Sequence, residues 1–341
     1  MLSRKERVKL VREQVEKEWY DKWWSFMMEN EVKLDWHDMS RNPNITMDFI
    51  KENPAKPWSW NDLSRNPNLT MDFIKENPDK PWNWNYLSSN PNITIKDILE
   101  IPDKPWNWYY VSMNPNVTME FIKENPDKSW SWRGISVNPN ITMKDILENP
   151  DKFWDWWEIS SNSNITMKDV LDNPNKPWYW NRISKNPNIT MEFINVNPDK
   201  GWSWHGISCN PNITMKDILD NPDKPWSWKW ISNNPNITMK DILDNPDKPW
   251  NWNWISSNPN ITIKDILENQ EFVNANPDKN WNYLSKNPFT QDKQEFQLQQ
   301  YRRHLACYRI QQHWHRIRSD PKHPVGQRRL EREYDREFGS G

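Results

Sequence analysis

Apolar positions between residues 42 and 290 recur with a period of 24, far longer than the 2 of a strand or the 3.6 of a helix, so the pattern describes a repeated unit. The opening asparagine falls at Asn42, Asn66, Asn90, Asn114, Asn138, Asn162, Asn186, Asn210, Asn234 and Asn258. Each unit holds two short apolar bursts. The first, Ile93-Thr94-Ile95-Lys96-Asp97-Ile98-Leu99, predicts a helix in which Thr94 caps free amides, Asp97 completes a capping box and Ile93 packs on Ile98. An Asn-Pro pair such as Asn77-Pro78 stops that helix after about two turns, since proline brings no N–H and restricts the residue before it. The second burst, Trp82-Asn83-Trp84-Asn85-Tyr86-Leu87-Ser88, predicts a short α or 3-10 turn entered at Pro81.

Two tryptophan columns, Trp58 to Trp250 and Trp36 to Trp281, take up most of the 27 tryptophans and are expected to dominate burial. One unit of this size cannot bury enough apolar surface to order itself, so its stability has to come from neighbours. The prediction is an all-α fold: a right-handed α-solenoid of about ten 24-residue two-helix repeats, one α and one short α or 3-10, with N- and C-terminal capping helices. Layers about 9–10 Å apart would make it a rod about 90–100 Å long.

The flanks read differently. Residues 1–36 hold an N-terminal helix with Val8, Val11, Val15, Trp19, Trp23 and Met27 spaced by three or four, suited to cover the first layer where Leu34 replaces the first tryptophan. The solenoid occupies 37–290 and departs from register at Gln270–Asn276, an insertion that delays Asn287-Pro288 by five residues. Residues 291–341 form a basic helical tail, with one helix predicted over 292–318 and a charged one over 327–338. Gly339-Ser340-Gly341 closes the sequence and fits a natural end or a cloning remnant equally.

The run Asn-Pro-Asn, Thr, acid, two aliphatics and Asn-Pro-Asp resembles the leucine-rich repeat variant, a 24-residue solenoid of alternating α and 3-10 helices. The Trp-x-Trp and Asn-Pro-Asn-Ile-Thr wording is similar to repeat proteins of giant and other nucleocytoplasmic large DNA viruses. The resemblance covers residues 42–290 and implies a viral protein of host cytoplasm or virion, with little about activity.

Charge is uneven. The array carries 26 basic and 32 acidic side chains and the tail 11 and 7, within a formal net charge of −2. Cys209 and Cys307 alone suggest no disulfide framework and a reducing, intracellular compartment. No signal region and no 18-residue apolar run is present, so no membrane partner is expected, and the ten Asn-x-Thr triplets read as helix caps. Neither a phosphate-cradling glycine loop nor a nucleophile signature occurs. No enzyme, cofactor or small-molecule substrate is therefore expected. His304, His313, His315 and His323 lie near Cys307, but His313 and His315 leave a helix on different sides, so no metal is expected. Ile310-Gln311 with Arg316 resembles a calmodulin-binding IQ motif, yet His315 stands in the basic position and no glycine follows, which speaks against a calmodulin-like partner.

The lysine column from Lys56 to Lys248, with Lys279, invites a nucleic-acid reading, but an acid usually precedes the lysine and the array is net negative, so a paired, solvated turn is expected. Variation concentrates in the two positions after the second tryptophan. That column is expected to line a partner-binding face with Tyr86, Tyr110, Trp157, Trp230 and Trp254 as anchors, drift at solvent-exposed or partly buried sites being the alternative. The function that follows is a non-enzymatic scaffold for protein–protein interaction. The second possibility is nucleic-acid binding through Arg302, Arg303, Arg309, Arg316, Arg318, Arg328 and Arg329 of the tail.

Overall fold

A computed structural model describes residues 4–31, 34–269 and 283–319, with the backbone alone at 4, 305 and 309–319. Every regular element among the described residues is helical, as an α-solenoid requires. The chain divides into two compact units, Asn30–Phe289 and Met1–Glu29 with Thr290–Gly341.

In the repeat unit the first helices span six residues each, from Met47–Glu52 to Ile263–Glu268. Each starts after a threonine whose hydroxyl accepts the third amide, as Thr142 does from Asp145. Where the third residue is aspartate, the carboxylate returns a bond: the Thr94 amide donates to Asp97 at 2.8 Å. Four copies place Phe49, Phe73, Phe121 or Phe193 there instead, and each ring packs edge-on against the first tryptophan of its own unit at 5.9–6.2 Å. Acid capping and aromatic packing are thus alternatives at one position.

The second helices begin three residues later than expected, at Trp84 and not at Pro81. The Pro-Trp pair is extended, and the helix opens at the second tryptophan, as in Trp84–Ser89. The residue between the tryptophans is the N-cap: Ser59, Asn83, Ser131, Asp155 and Ser203 accept amides of the first turn. Its preference for Ser, Asn and Asp has this cause.

Burial also differs from the expectation. The apolar array residues at 0% exposure are mainly aliphatic, Leu63, Leu87, Val111, Ile135 and their equivalents on the second helices and Ile45, Leu69, Ile93 and theirs before the first helices. Most array tryptophans are only half-buried, with Trp58 and Trp82 at 8% the buried exceptions. They join layers edge to edge instead. The second tryptophan of one layer meets the first of the next at 4.9–5.2 Å, from Trp36–Trp58 to Trp228–Trp250. The indole N–H of each first tryptophan is satisfied by a backbone carbonyl five residues earlier, as Trp130 donates to Asn125 at 2.7 Å.

The stack is fastened by the opening asparagines, which are buried. Asn138 donates through Nδ2 to the carbonyls of Ser112, Asn114 and Val117 in the preceding layer, and its Oδ1 accepts the Asn140 amide. Ser136 and its equivalents form a second seam, receiving the N-cap amide of the next layer, here Asp155 at 2.9 Å.

Both seams continue from the last layer into the first. Asn42 donates to Ser285 O at 2.9 Å and Asn287 O at 3.1 Å, as Asn66 does to Ser40 and Asn42. Asn44 reaches Pro288 O as Asn68 reaches Pro43 O, and the Asp35 amide donates to Ser285 Oγ as Ser59 does to Ser40. Identical atoms bonding in identical ways place the last layer before the first as any layer precedes its successor. The repeat unit is therefore a closed ring of eleven layers, from the layer of Asn42 to that of Asn287, and not a rod. A slight turn at every joint, summed around the stack, brings its ends together. The first layer, which in a rod would need a cover, is covered by the eleventh.

The other unit pairs its helices Arg4–Glu29 and Thr290–Ser319 antiparallel. Lys22 meets Asp292, Trp19 packs on Phe296 at 5.8 Å, Lys293 and Gln297 reach Glu16, and Arg7 lies over Tyr308. Of the predicted apolar stripe, Val15, Trp19, Trp23 and Met27 are buried, whereas Val8 is exposed. The insertion at 270–276 and the charged helix at 327–338 lie outside the described residues.

Candidate functional site

The two sides of each layer are not equivalent. Second helices of neighbouring layers are the closest-packed elements of the ring. At Gly134 the approach is so tight that an added Cβ would stand 2.5 Å from Tyr109 O. First helices span their wider gap with long side chains, as Lys51 does to Glu76 at 2.7 Å. The second helices therefore line the concave face. Eleven of them spaced about 8–10 Å apart leave an opening about 20 Å across.

The face is built from three positions of each layer: the two after the second tryptophan and the one before the buried asparagine. They lie on the side of the second helix that looks away from the aliphatic core, as Asn61 and Arg65 do. Seven basic side chains occur there, Arg41, Arg65, Arg133, Arg182, Lys185, Lys229 and Lys286, against three acids. Those acids are covered by the cations. Asp38 holds Arg41 and Lys286, Asp62 holds His37 at 2.8 Å and Arg41 at 3.4 Å, and Glu158 holds Arg133 and Arg182. Asp38 and Asp62 are only 7% exposed, so the charge presented to solvent is positive.

Titration follows from these pairs. The hydrogen bond to the Asp62 carboxylate raises the His37 imidazole above its ordinary value. Burial alone would raise Asp62, but hydrogen bonds from Ser59 and His37 and the charge of Arg41 outweigh it and hold that carboxyl below the usual range.

The five anchor residues all fall on this face, in different company. Tyr86 is covered by the Arg65 guanidinium at 3.5 Å. Tyr110 packs edge-on against Tyr109 at 5.1 Å. Trp157, at 40% exposure, meets Tyr179 at 5.2 Å and Arg182 at 5.1 Å. Trp230 and Trp254 belong to one arc: His205, Trp230, Trp254 and Tyr283 follow each other at 5.1, 5.0 and 5.4 Å. Lys229 stands 5.6 and 5.3 Å from the Trp230 and Trp254 rings, and Lys286 3.9 Å from Tyr283. The sequence reading missed the contribution of the position before each buried asparagine. Its variability, from Arg65 through Met113 and Lys185 to Lys286, was the available signal.

The lysine column does something other than pair with the preceding acid. Lys80, Lys104, Lys152, Lys176, Lys200, Lys224 and Lys248 each stand over the second tryptophan of the preceding layer, at 4.7–5.7 Å. Lys128 keeps the expected arrangement, with Asp127 at 3.6 Å. These lysines belong to the joints between layers.

In the tail, Arg302 and Arg303 are exposed on Thr290–Ser319, and Arg309, Arg316 and Arg318 lie on the same helix. Arg328 and Arg329 fall outside the described residues. Cys209 is half-buried and burial pushes its thiol up, away from a reactive thiolate. Among the described residues no group of three His, Cys, Asp or Glu could hold a metal ion, and no helix is long and apolar enough to cross a membrane. Comparison of the chain with family models, with curated proteins and with solved structures finds no match to any of them.

Proposed function

We propose that the chain is a non-catalytic binding ring whose concave face holds a macromolecular partner. One observation carries this: the layers repeat their buried skeleton almost unchanged while the solvent-facing residues of the second helices differ from layer to layer, through Asn85, Tyr109, Arg133, Trp157 and His205. Packing conserves the joint and leaves the face to recognition, the division of labour by which solenoids bind. The test is photo-crosslinking in cells from a benzophenone side chain placed at Trp157, compared with one at Leu147 on a first helix. A specific adduct from Trp157 alone supports the ring's concave face as the binding surface. Equal labelling from both positions, or none from Trp157, counts against it.

The exposed Arg302 and Arg303 favour a second reading, nucleic-acid binding through the tail. Under that reading deletion of 291–341 abolishes a salt-dependent gel shift and leaves crosslinking from Trp157 absent.

A further inference from the structure

The distribution of charge and rings over the concave face, taken with its role as the binding surface proposed above, points further. We infer that this face binds a single-stranded polynucleotide, with the arc from His205 to Lys286 as its centre. The count over the whole array opposed nucleic acid, since acids outnumber bases there. That count averages over surfaces which the ring separates. Of the acids of the concave face Asp38 and Asp62 are buried beneath cations and the half-buried Glu158 is paired with two arginines, so the excess negative charge of the array lies on the other faces.

Two requirements of single-strand binding meet in the arc. Bases need half-exposed aromatic surfaces in sequence, which Trp230, Trp254 and Tyr283 supply as half-buried rings in one continuous run. Phosphates need cations interleaved with those rings, and Lys229 and Lys286 stand within 3.9–5.6 Å of them. A duplex hides its base faces and would use the cations alone. An acidic polypeptide would likewise leave the indoles without a flat partner.

The test uses the full chain and a fluorescein-labelled 12-mer of oligouridylate, read by anisotropy at several salt concentrations. Binding is expected at low salt, falling with a log–log slope of about −2 to −3 as three or four phosphates are neutralised. Lys229→Glu, an exposed position where folding is not at stake, and Trp254→Ala should each weaken it about tenfold. Lys144→Glu on a first helix should leave it unchanged. A 12-mer duplex should bind more weakly than the single strand. Three results overturn the inference. Tighter binding of polyglutamate, lost in Lys229→Glu, would keep the concave face as the binding surface and change the partner class. Loss of oligouridylate binding in Arg302→Glu/Arg303→Glu, with Lys229→Glu neutral, would move the site to the tail. No binding of either polymer, with no adduct from Trp157, would remove the binding-face reading as well.

Discussion

At the residue scale the ladder asparagines decide most. A buried side-chain amide that satisfies three backbone carbonyls cannot be replaced by an apolar group without stranding those carbonyls away from water. Asn138→Ala is therefore expected to cost about 2–4 kcal/mol, seen as a lower denaturant midpoint with an unchanged slope. Asn140→Ala, which removes an exposed bond to Pro115 and a half-buried one to Val117, should cost clearly less. If the two cost the same, burial is not what gives the ladder its strength. His37 and Asp62 add a pH dependence whose sign is set by the two shifts. A raised imidazole contributes stability that is complete below about pH 6.5 and is lost as pH rises through the raised value. The lowered Asp62 contributes above the ordinary carboxylate range and is lost as pH falls through its depressed value. The His37 side chain is 72% exposed, so the effect is modest. The melting-temperature difference between the native chain and His37→Ala should be larger at pH 5.5 than at pH 8.5. An equal difference at both would show that the pair does not couple to folding.

At the element scale the chain spelled out its helices well. Thr94 with Asp97 is a capping box in the letters and in space, and the Asn-Pro pairs end the helices where proline must. The second helix starts at Trp84 and not at Pro81 because a suitable φ at Pro81 is not enough to open a helix, whereas Asn83, one residue before Trp84, supplies the side-chain acceptor that caps it. Tryptophan was overrated in the core for a related reason. A large ring looks like the most buried residue in a sequence, yet the smaller Ile135 and Ile141 fit the space between layers and the indoles reach across its edge. The interchange of Asp and Phe at the third position of the first helix gives a test. Asp145→Ala should cost about 0.5–1 kcal/mol by breaking the box, and Asp145→Phe should recover most of it by packing on Trp154, as Phe121 does on Trp130. Should the phenylalanine variant be no more stable than the alanine one, the two devices are not alternatives.

At the scale of the whole repeat unit the letters were silent, because closure depends on a small rotation per layer that no single residue encodes. The candidate face was partly legible, since the anchor column was found by its variability, but its sign of charge was not: pairing of Asp38, Asp62 and Glu158 under neighbouring cations appears only in space. Closure has a consequence that separates a ring from a rod. In an open stack the first asparagine has no layer before it, so Asn42→Ala would be close to neutral, and amides of the terminal layers would exchange fastest because ends fray. In the ring Asn42 makes the same kind of bonds to Ser285 and Asn287 that Asn138 makes to its predecessors. Asn42→Ala should then cost within about 1 kcal/mol of Asn138→Ala. Hydrogen exchange at Asn42, Asn44 and Ile45 should be as slow as at Asn138, Asn140 and Ile141. Fast exchange in the first layer together with a neutral Asn42→Ala would mean that the seam is open in solution. The concave face would then be a groove with two ends, and a polymer could enter it from the side instead of having to thread through.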